Sequence, residues 1–168
     1  MLCTRIGLDS RSPTEQSEDV MTVPPPVLAL TAALAQRALT PGATPPTPAR
    51  FAAATTMALA SVSVAGASAS EFRRHGTTVE PFHPDRSTYL VTSGANSISR
   101  NPMYLGMAGL LAANAVRKGS WVAVMPLAAF VLIIDRLQIK TEEAALRTNF
   151  GPEYETYCAE VPRWLGRW

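Results

Sequence analysis

Charged residues are scarce in this sequence of 168 residues. Asp, Glu, Lys and Arg make up 17% of the chain, below the quarter typical of soluble domains, and hydrophobic residues make up 47%. The length predicts a single domain. With a net charge of +2 and basic residues that are scattered rather than interleaved with aromatics, we expect no nucleic-acid partner.

Cysteine and histidine are equally sparse, with two of each. Cys3 and Cys158 share no motif spacing with each other or with the histidines, which excludes a disulfide framework and a zinc site. No group of His, Cys, Asp and Glu has the spacing of metal ligands, so we expect no metal. Neither His75 nor His83 has a carboxylate or nucleophile at a recognised spacing, and we assign them no catalytic role.

The first 22 residues are polar and mixed in charge, and they lack the apolar core of a signal peptide. We expect residues 1–22 to be a disordered extension and residues 23–168 to form the domain. Met21 is an alternative start to Met1.

Four apolar segments follow and predict an all-α membrane bundle. Residues 51–70 form the strongest one, because twenty residues without a charge match one membrane-spanning helix. The run 27–39 is short and interrupted by Gln36 and Arg37, so whether it spans is left open. The linker 40–48 contains four prolines and is excluded from helix interior.

The last two apolar segments predict a helical hairpin. They cover residues 103–116 and 120–134 and are separated by the turn Arg117-Lys118-Gly119. At about 15 residues each, they suit short spans and buried core helices equally well. A mixed helix is expected from Arg136 to about Asn149, ended by Gly151-Pro152.

The basic residues predict an orientation for four such segments. Eleven of fifteen lie before residue 24, between 71 and 102 or after 134, on one common side of the membrane. The positive-inside rule places that side in the cytosol. The polar loop before residue 103 and the C-terminal tail would then share the cytosolic face.

That polar loop is the most informative stretch. It contains Leu90-Val-Thr-Ser-Gly94 and then Ser99-Arg-Asn-Pro-Met-Tyr-Leu-Gly106, which runs straight into an apolar segment. Pro102 suits the first turn of a helix. Arg100 beside a helix N-terminus favours a carboxylate or phosphate ligand. For Arg100 alone, the plainer interpretation is a basic flank of a membrane helix.

A second polar group follows the hairpin. Gln138 and Glu142 are four residues apart and share one helical face, with Glu143 next to them. A carboxylate at this place suits a cationic ligand. A solvated amphipathic helix, with Lys140 and Arg147 as partners of the acidic pair, is the alternative interpretation. The tail then closes with Phe150-Gly151, Tyr154, Tyr157 and Val161-Pro-Arg-Trp164.

This order of pieces resembles the isoprenylcysteine carboxyl methyltransferase family and its phospholipid-methyltransferase relatives, which are integral membrane enzymes that use S-adenosylmethionine. The resemblance covers about residues 76–164. It implies S-adenosylmethionine as the cofactor, with the carboxylate offsetting its positive charge. The cofactor-binding residues that it implies are Thr88, Tyr89, Leu90, Val91, Asn101, Pro102, Met103, Tyr104 and Glu142.

Arg100 and Gln138 are the predicted catalytic residues. The resemblance implies that the position of Gln138 faces the substrate, and the carboxyl methyltransferases have arginine there. Glutamine therefore argues against an anionic prenylcysteine carboxylate as the substrate. Those enzymes also have histidine at the position of Asn101, and an aromatic residue is usual at the position of Asn96.

The sequence thus predicts an S-adenosylmethionine-dependent methyltransferase. Its partners would be the lipid bilayer and a lipid-soluble or small apolar acceptor carrying a carboxylate, amine or thiol. A membrane scaffold or lipid-binding subunit that keeps the fold without catalysis is one alternative. A soluble helical protein with the short apolar stretches in its core is another, and the charge-free window 51–70 argues against it. No oligomeric state is predicted.

Overall fold

A computed structural model describes residues 23–74 and 89–166, and the regular structure within these ranges is entirely helical. This confirms the predicted all-α class. The expected disordered extension 1–22 lies outside the described residues, as do His75, His83 and Thr88.

The first two helices are α1, Pro25–Leu39, and α2, Pro48–Arg74. The proline-rich connection between them, residues 40–47, forms no helix, as its composition predicts. Pro48 begins α2 because the first helical position needs no backbone N–H donor. At 27 residues, α2 extends beyond the charge-free window at both ends.

The predicted helical hairpin is confirmed. Helix α3, Pro102–Lys118, ends at Gly119, whose φ of 60° is the left-handed conformation that favours glycine at a helix end. A short 3₁₀ turn, Trp121–Ala123, then leads directly into α4, Val124–Ile133.

Beyond α4 the structure differs from the sequence prediction of a boundary between Ile134 and Arg136. One turn of π-helix, Ile134–Gln138, joins α4 to α5, Ile139–Phe150, so that residues 121–150 form one continuous helix. Gly151 ends it with a φ of 50°, and α6, Pro152–Glu160, follows. The change in composition at Asp135 marks a change of surroundings and not the end of a helix.

Two helices, α2 and the continuous helix 121–150, are long and apolar enough to cross a membrane. Their apolar windows are only 17% and 33% buried within the protein. Large apolar side chains on both are exposed, which suits contact with lipid. Helices α1 and α3 have 15 and 17 residues and fall below this length, so the four-span bundle stays a prediction.

The main apolar core lies between α1, α3 and the long helix. Its buried members are Ala32, Tyr104, Ala108, Leu111, Phe130, Ile134 and Ile139. A polar contact closes the end of this core: the buried Gln36 amide donates to the carbonyl oxygens of Leu111 and Ala123 at 3.0 and 2.7 Å. Asn114 donates to the Gln36 amide oxygen at 2.7 Å, so α1 is joined to both arms of the hairpin.

Helix α3 packs on α2 at very short range. A Cβ atom on Gly106 would lie 2.8 Å from both the Ala65 Cβ and the Ser61 carbonyl oxygen, and one on Gly109 would lie 2.1 Å from the Ser61 hydroxyl. Small residues at such a crossing allow two membrane helices to approach closely. The contact positions the N-terminal turn of α3 against α2.

Replacing Gly106 with alanine should separate these helices. We expect Gly106→Ala to lower the free energy of unfolding by about 1–3 kcal/mol, because the added methyl group overpacks the contact with Ala65. The measurement is thermal unfolding in detergent. Gly66→Ala is the matched control, since a Cβ there meets no atom within 4 Å. Equal shifts in the two variants would contradict the close approach.

Candidate functional site

The polar loop before α3 is held against the C-terminal tail. The Arg100 backbone N–H donates to the Pro162 carbonyl oxygen at 2.9 Å. The carbonyl oxygen of Arg163 accepts from both the Ser99 hydroxyl and the Asn101 side-chain amide, each at 3.1 Å. Two segments about 60 residues apart in sequence therefore form one surface at the start of α3.

Ion pairs reinforce this junction around Glu143, whose side chain is 4% exposed. Arg100 donates to Glu143 at 2.8 Å, and Arg163 donates to both of its carboxylate oxygens, at 3.0 and 2.6 Å. Arg163 also contacts Asp135 at 3.3 Å, and the Trp164 indole donates to Asp135 at 2.9 Å. The hydrogen bonds to Glu143 raise the pKa of Arg163, whose guanidinium thus stays charged.

Arg100 also donates hydrogen bonds to backbone carbonyl oxygens. Its second guanidinium nitrogen donates to the carbonyl oxygens of Cys158 and Val161 at 3.0 and 2.9 Å. The side chain is only 11% exposed. Its charge is thus balanced inside the protein by Glu143, and its hydrogen bonds hold the end of α6.

Glu142 has different surroundings from its neighbour Glu143. Successive residues of a helix point about 100° apart, and Glu142 faces α3, where the Tyr104 hydroxyl donates to it at 2.5 Å. Gln138, one turn earlier, donates to the same oxygen at 2.7 Å. Tyr104 and Gln138 are buried. Within the described residues no arginine or lysine forms an ion pair with Glu142.

Asn96 joins the polar loop to α2 and α6. The Asn96 side chain is buried; it accepts from the Ser68 hydroxyl of α2 at 3.0 Å and donates to the Val91 carbonyl oxygen at 3.1 Å. The Tyr157 hydroxyl of α6 donates to the Asn96 backbone carbonyl at 2.6 Å. Burial raises the pKa of Tyr157, which keeps this hydroxyl protonated as a donor.

An open groove of about 520 Å³ runs beside the tail. The residues that line it are Arg100, Asp135, Cys158, Ala159, Val161, Pro162, Arg163, Trp164 and Gly166. Glu142 and Tyr104 do not line this groove, which therefore adjoins the ion-paired side of the long helix and not the side that carries Glu142.

The structure brings together part of the predicted set. Tyr104, Gln138 and Glu142 form one hydrogen-bonded group, with Pro102 and Met103 in the same first turn of α3. Leu90 instead packs in an apolar cluster with Tyr154, Tyr157 and Val161. Tyr89 is 47% exposed. Whether these residues bind a cofactor stays a prediction.

Comparison with known proteins gives the family. The model of the phospholipid methyltransferase family matches residues 49–153, more than half of the chain. The chain belongs to this family. Membership in the family brings methyltransferase character and membrane character, and the two apolar helices also support the second. The matched range includes α2, the polar loop, α3 and the whole long helix.

The chain is also similar to an uncharacterised protein of Haemophilus influenzae. The two sequences are 38% identical over 63 residues, which make up 38% of this chain and 100% of the relative. No solved structure matches the chain.

Several residues that shape this site were not among the predicted ones. Glu143, Arg163 and Asp135 form the ion-paired junction, and Asn96 joins the loop to α2 and α6. The Val161-Pro-Arg-Trp164 motif was visible as part of the family pattern, but its partners are distant in sequence. Asp135 lies in the π turn and contacts Arg163 and Trp164 of the tail.

Glu143 should contribute strongly to stability. Replacing it with glutamine leaves Arg100, whose side chain is 11% exposed, without a counter-charge, and leaves Arg163 with Asp135 alone. We expect a loss of about 3 kcal/mol in the free energy of unfolding. Thermal unfolding in detergent measures this. Glu153→Gln, an exposed glutamate on α6, should have no effect. A Glu143→Gln protein as stable as the Glu153→Gln control would show that the junction is dispensable.

Proposed function

We propose that this protein is an S-adenosylmethionine-dependent methyltransferase that acts on a lipid-soluble or small apolar acceptor at the cytosolic membrane face. The observation that supports it most is the contrast between two adjacent carboxylates. Glu143 is neutralised by two arginines, whereas Glu142 is held by the neutral donors Tyr104 and Gln138 and has no described cation beside it. A carboxylate that is held by neutral donors and has no cation beside it suits a positively charged ligand.

The cofactor that the family implies fits this donor set. S-adenosylmethionine would supply an electrophilic methyl group on a sulfonium, and it also carries an ammonium group. Glu142 would bind one of these positive groups, since a partly buried carboxylate interacts more strongly with a cation than one in water. Asn101, Pro102, Met103 and Tyr104 would line the same place at the start of α3.

Tyr104 and Gln138 have positioning roles in this proposal. Both donate to one oxygen of Glu142, which fixes the carboxylate and leaves its other oxygen for a ligand. Arg100, predicted as catalytic, positions the loop through its bonds to Glu143 and the tail. Alignment of donor and acceptor in a site that excludes water can supply most of the rate in a methyl transfer.

Glu142 provides the direct test of cofactor binding. We expect Glu142→Gln to weaken binding of S-adenosylmethionine about ten- to hundredfold, because a charge-assisted contact is lost while the shape of the side chain is kept. Titration calorimetry on detergent-purified protein measures the affinity. Glu153→Gln should bind like the original protein.

S-adenosylhomocysteine, which lacks the sulfonium charge, refines this result. A smaller effect of Glu142→Gln on its affinity would place the carboxylate beside the sulfonium, and an equal effect would place it beside the ammonium. Unchanged affinity for both compounds in a folded variant would refute the role of Glu142. No binding by the folded original protein would leave the membrane scaffold as the better interpretation.

The charges of the site favour an acceptor without a carboxylate. Both described arginines near the start of α3, Arg100 and Arg163, are paired with Glu143 and Asp135. Gln138 stands where the carboxyl methyltransferases have an arginine, and it is committed to Glu142. We therefore propose an amine or a thiol as the methylated group, because neither needs a cationic partner.

The chemistry of the methylated product tests this choice. Membranes containing the protein are incubated with methyl-labelled S-adenosylmethionine, and extracted lipids are treated with mild base. We expect the label to stay in the non-volatile fraction, since N-methyl and S-methyl bonds resist base. Release of volatile labelled methanol would identify a methyl ester and hence a carboxylate acceptor. Membranes with Glu142→Gln protein provide the background.

The proposed cytosolic location rests on the charge distribution. The loop and the tail are in contact in the structure, as a shared face requires. The basic residues of this end then follow the positive-inside rule.

A further inference from the structure

The end of the bundle far from Glu142 carries positive charge without any carboxylate. The sequence has no Asp or Glu from residue 20 to 70 or from 86 to 134. Four cations lie at this end, namely Arg37, Arg50, Arg117 and Lys118. None of them forms an ion pair with a described residue.

These cations come together from three helices. Arg50, in the first turn of α2, lies across the end of α3: its Nη1 is only 1.6 Å from the place that a Cβ on Gly119 would occupy. Arg117 and Lys118 form the last turn of α3 just before that glycine. Arg37 follows Gln36, whose bonds to Leu111 and Ala123 hold α1 at the same end.

Neighbouring groups orient two of the guanidinium groups. Arg50 donates to the Pro45 carbonyl oxygen at 3.1 Å through Nη2, and Arg117 donates to the Asn114 side chain at 3.1 Å. The last turn of α3 favours cations, but Arg50 lies in the first turn of α2, where the helix dipole disfavours one. A buried or bound anion would offset that cost at Arg50.

These residues would lie at the same depth in a membrane as the lipid phosphates. Helix α2 has 27 residues and is about 40 Å long, longer than the ~30 Å hydrocarbon layer, so its two ends reach the headgroup regions. At the other end carboxylates pair with several arginines: Glu71 with Arg74, and Asp135 and Glu143 with Arg163. The cations at the Arg50 end have no such carboxylate beside them among the described residues.

We propose that Arg50, Arg117 and Lys118, with Arg37 beside them, bind the phosphate of an anionic phospholipid at the membrane face opposite the candidate methyltransferase site. Arginine guanidinium groups suit phosphate oxygens, and basic groups between membrane helices attract anionic headgroups. The lipid would bridge α1, α2 and α3 at the end where Gln36 joins α1 to the hairpin. This proposal does not depend on the methyltransferase activity.

The experiment is native mass spectrometry of the detergent-purified full chain with phosphatidylglycerol or phosphatidylcholine of identical acyl chains. We expect preferential retention of phosphatidylglycerol, reduced about tenfold in the triple variant Arg50→Gln, Arg117→Gln, Lys118→Gln. The control replaces three exposed cations of the other end, Arg73, Arg74 and Lys140, with glutamine. That control changes the net charge equally and should retain the lipid.

Three results would overturn the proposal. They are equal retention of both lipids by the original protein, unchanged retention in the triple variant, and an equal loss in the control. Inorganic phosphate is added as a competitor: displacement at concentrations equal to those of the lipid would identify a site for free phosphate instead. If the triple variant does not fold, Arg37→Gln with Lys118→Gln removes two cations whose side chains form no hydrogen bond or ion pair with the described residues, and a partial loss is expected.

Discussion

The paired contact of Glu143 with Arg100 and Arg163 is the interaction on which the site depends. It joins the long helix, the polar loop and the tail through the charges of two arginines. A buried charge needs partners of opposite sign, and here each partner belongs to a different segment. The position of the loop at the start of α3 is therefore determined in part by the C-terminal tail.

The different surroundings of the adjacent Glu142 and Glu143 follow from helix geometry. Their side chains diverge by about 100°, so one meets the tail and the other meets α3. The carboxylate facing the tail is paired with two arginines, and the one facing α3 has no described cation beside it. In the proposed function, stability and ligand binding thus depend on two neighbouring residues of the same type.

Local patterns explain which features could be predicted from the sequence. The proline-rich linker, the Arg-Lys-Gly turn, Pro102 at a helix start and the shared face of Gln138 and Glu142 depend on short-range rules, and all four agree with the structure. The alternative interpretation of the acidic pair named Arg147 as a partner, and Arg147 lies 3.7 Å from Glu143. These features need only a few consecutive residues.

The remaining features depend on distant contacts. The pairing of Glu143 with Arg163 crosses a glycine turn and a further helix, so spacing alone did not reveal it. Asn96 differs from the aromatic residue usual at its position, and only the fold shows that it joins α2 to the loop. The long helix was divided at residue 134 because its composition changes there, although the backbone hydrogen bonding continues through a π turn.

The uninterrupted helix 121–150 has a consequence for how this chain can vary. Many of its positions are exposed on the surface of the protein, where one apolar residue can replace another at little cost. Inserting or deleting a single residue before Glu142 is different, because it would rotate the acidic pair by about 100° relative to the preceding membrane segment. We therefore expect relatives to differ freely in composition along this helix while keeping its residue count unchanged between the hairpin turn and the acidic pair.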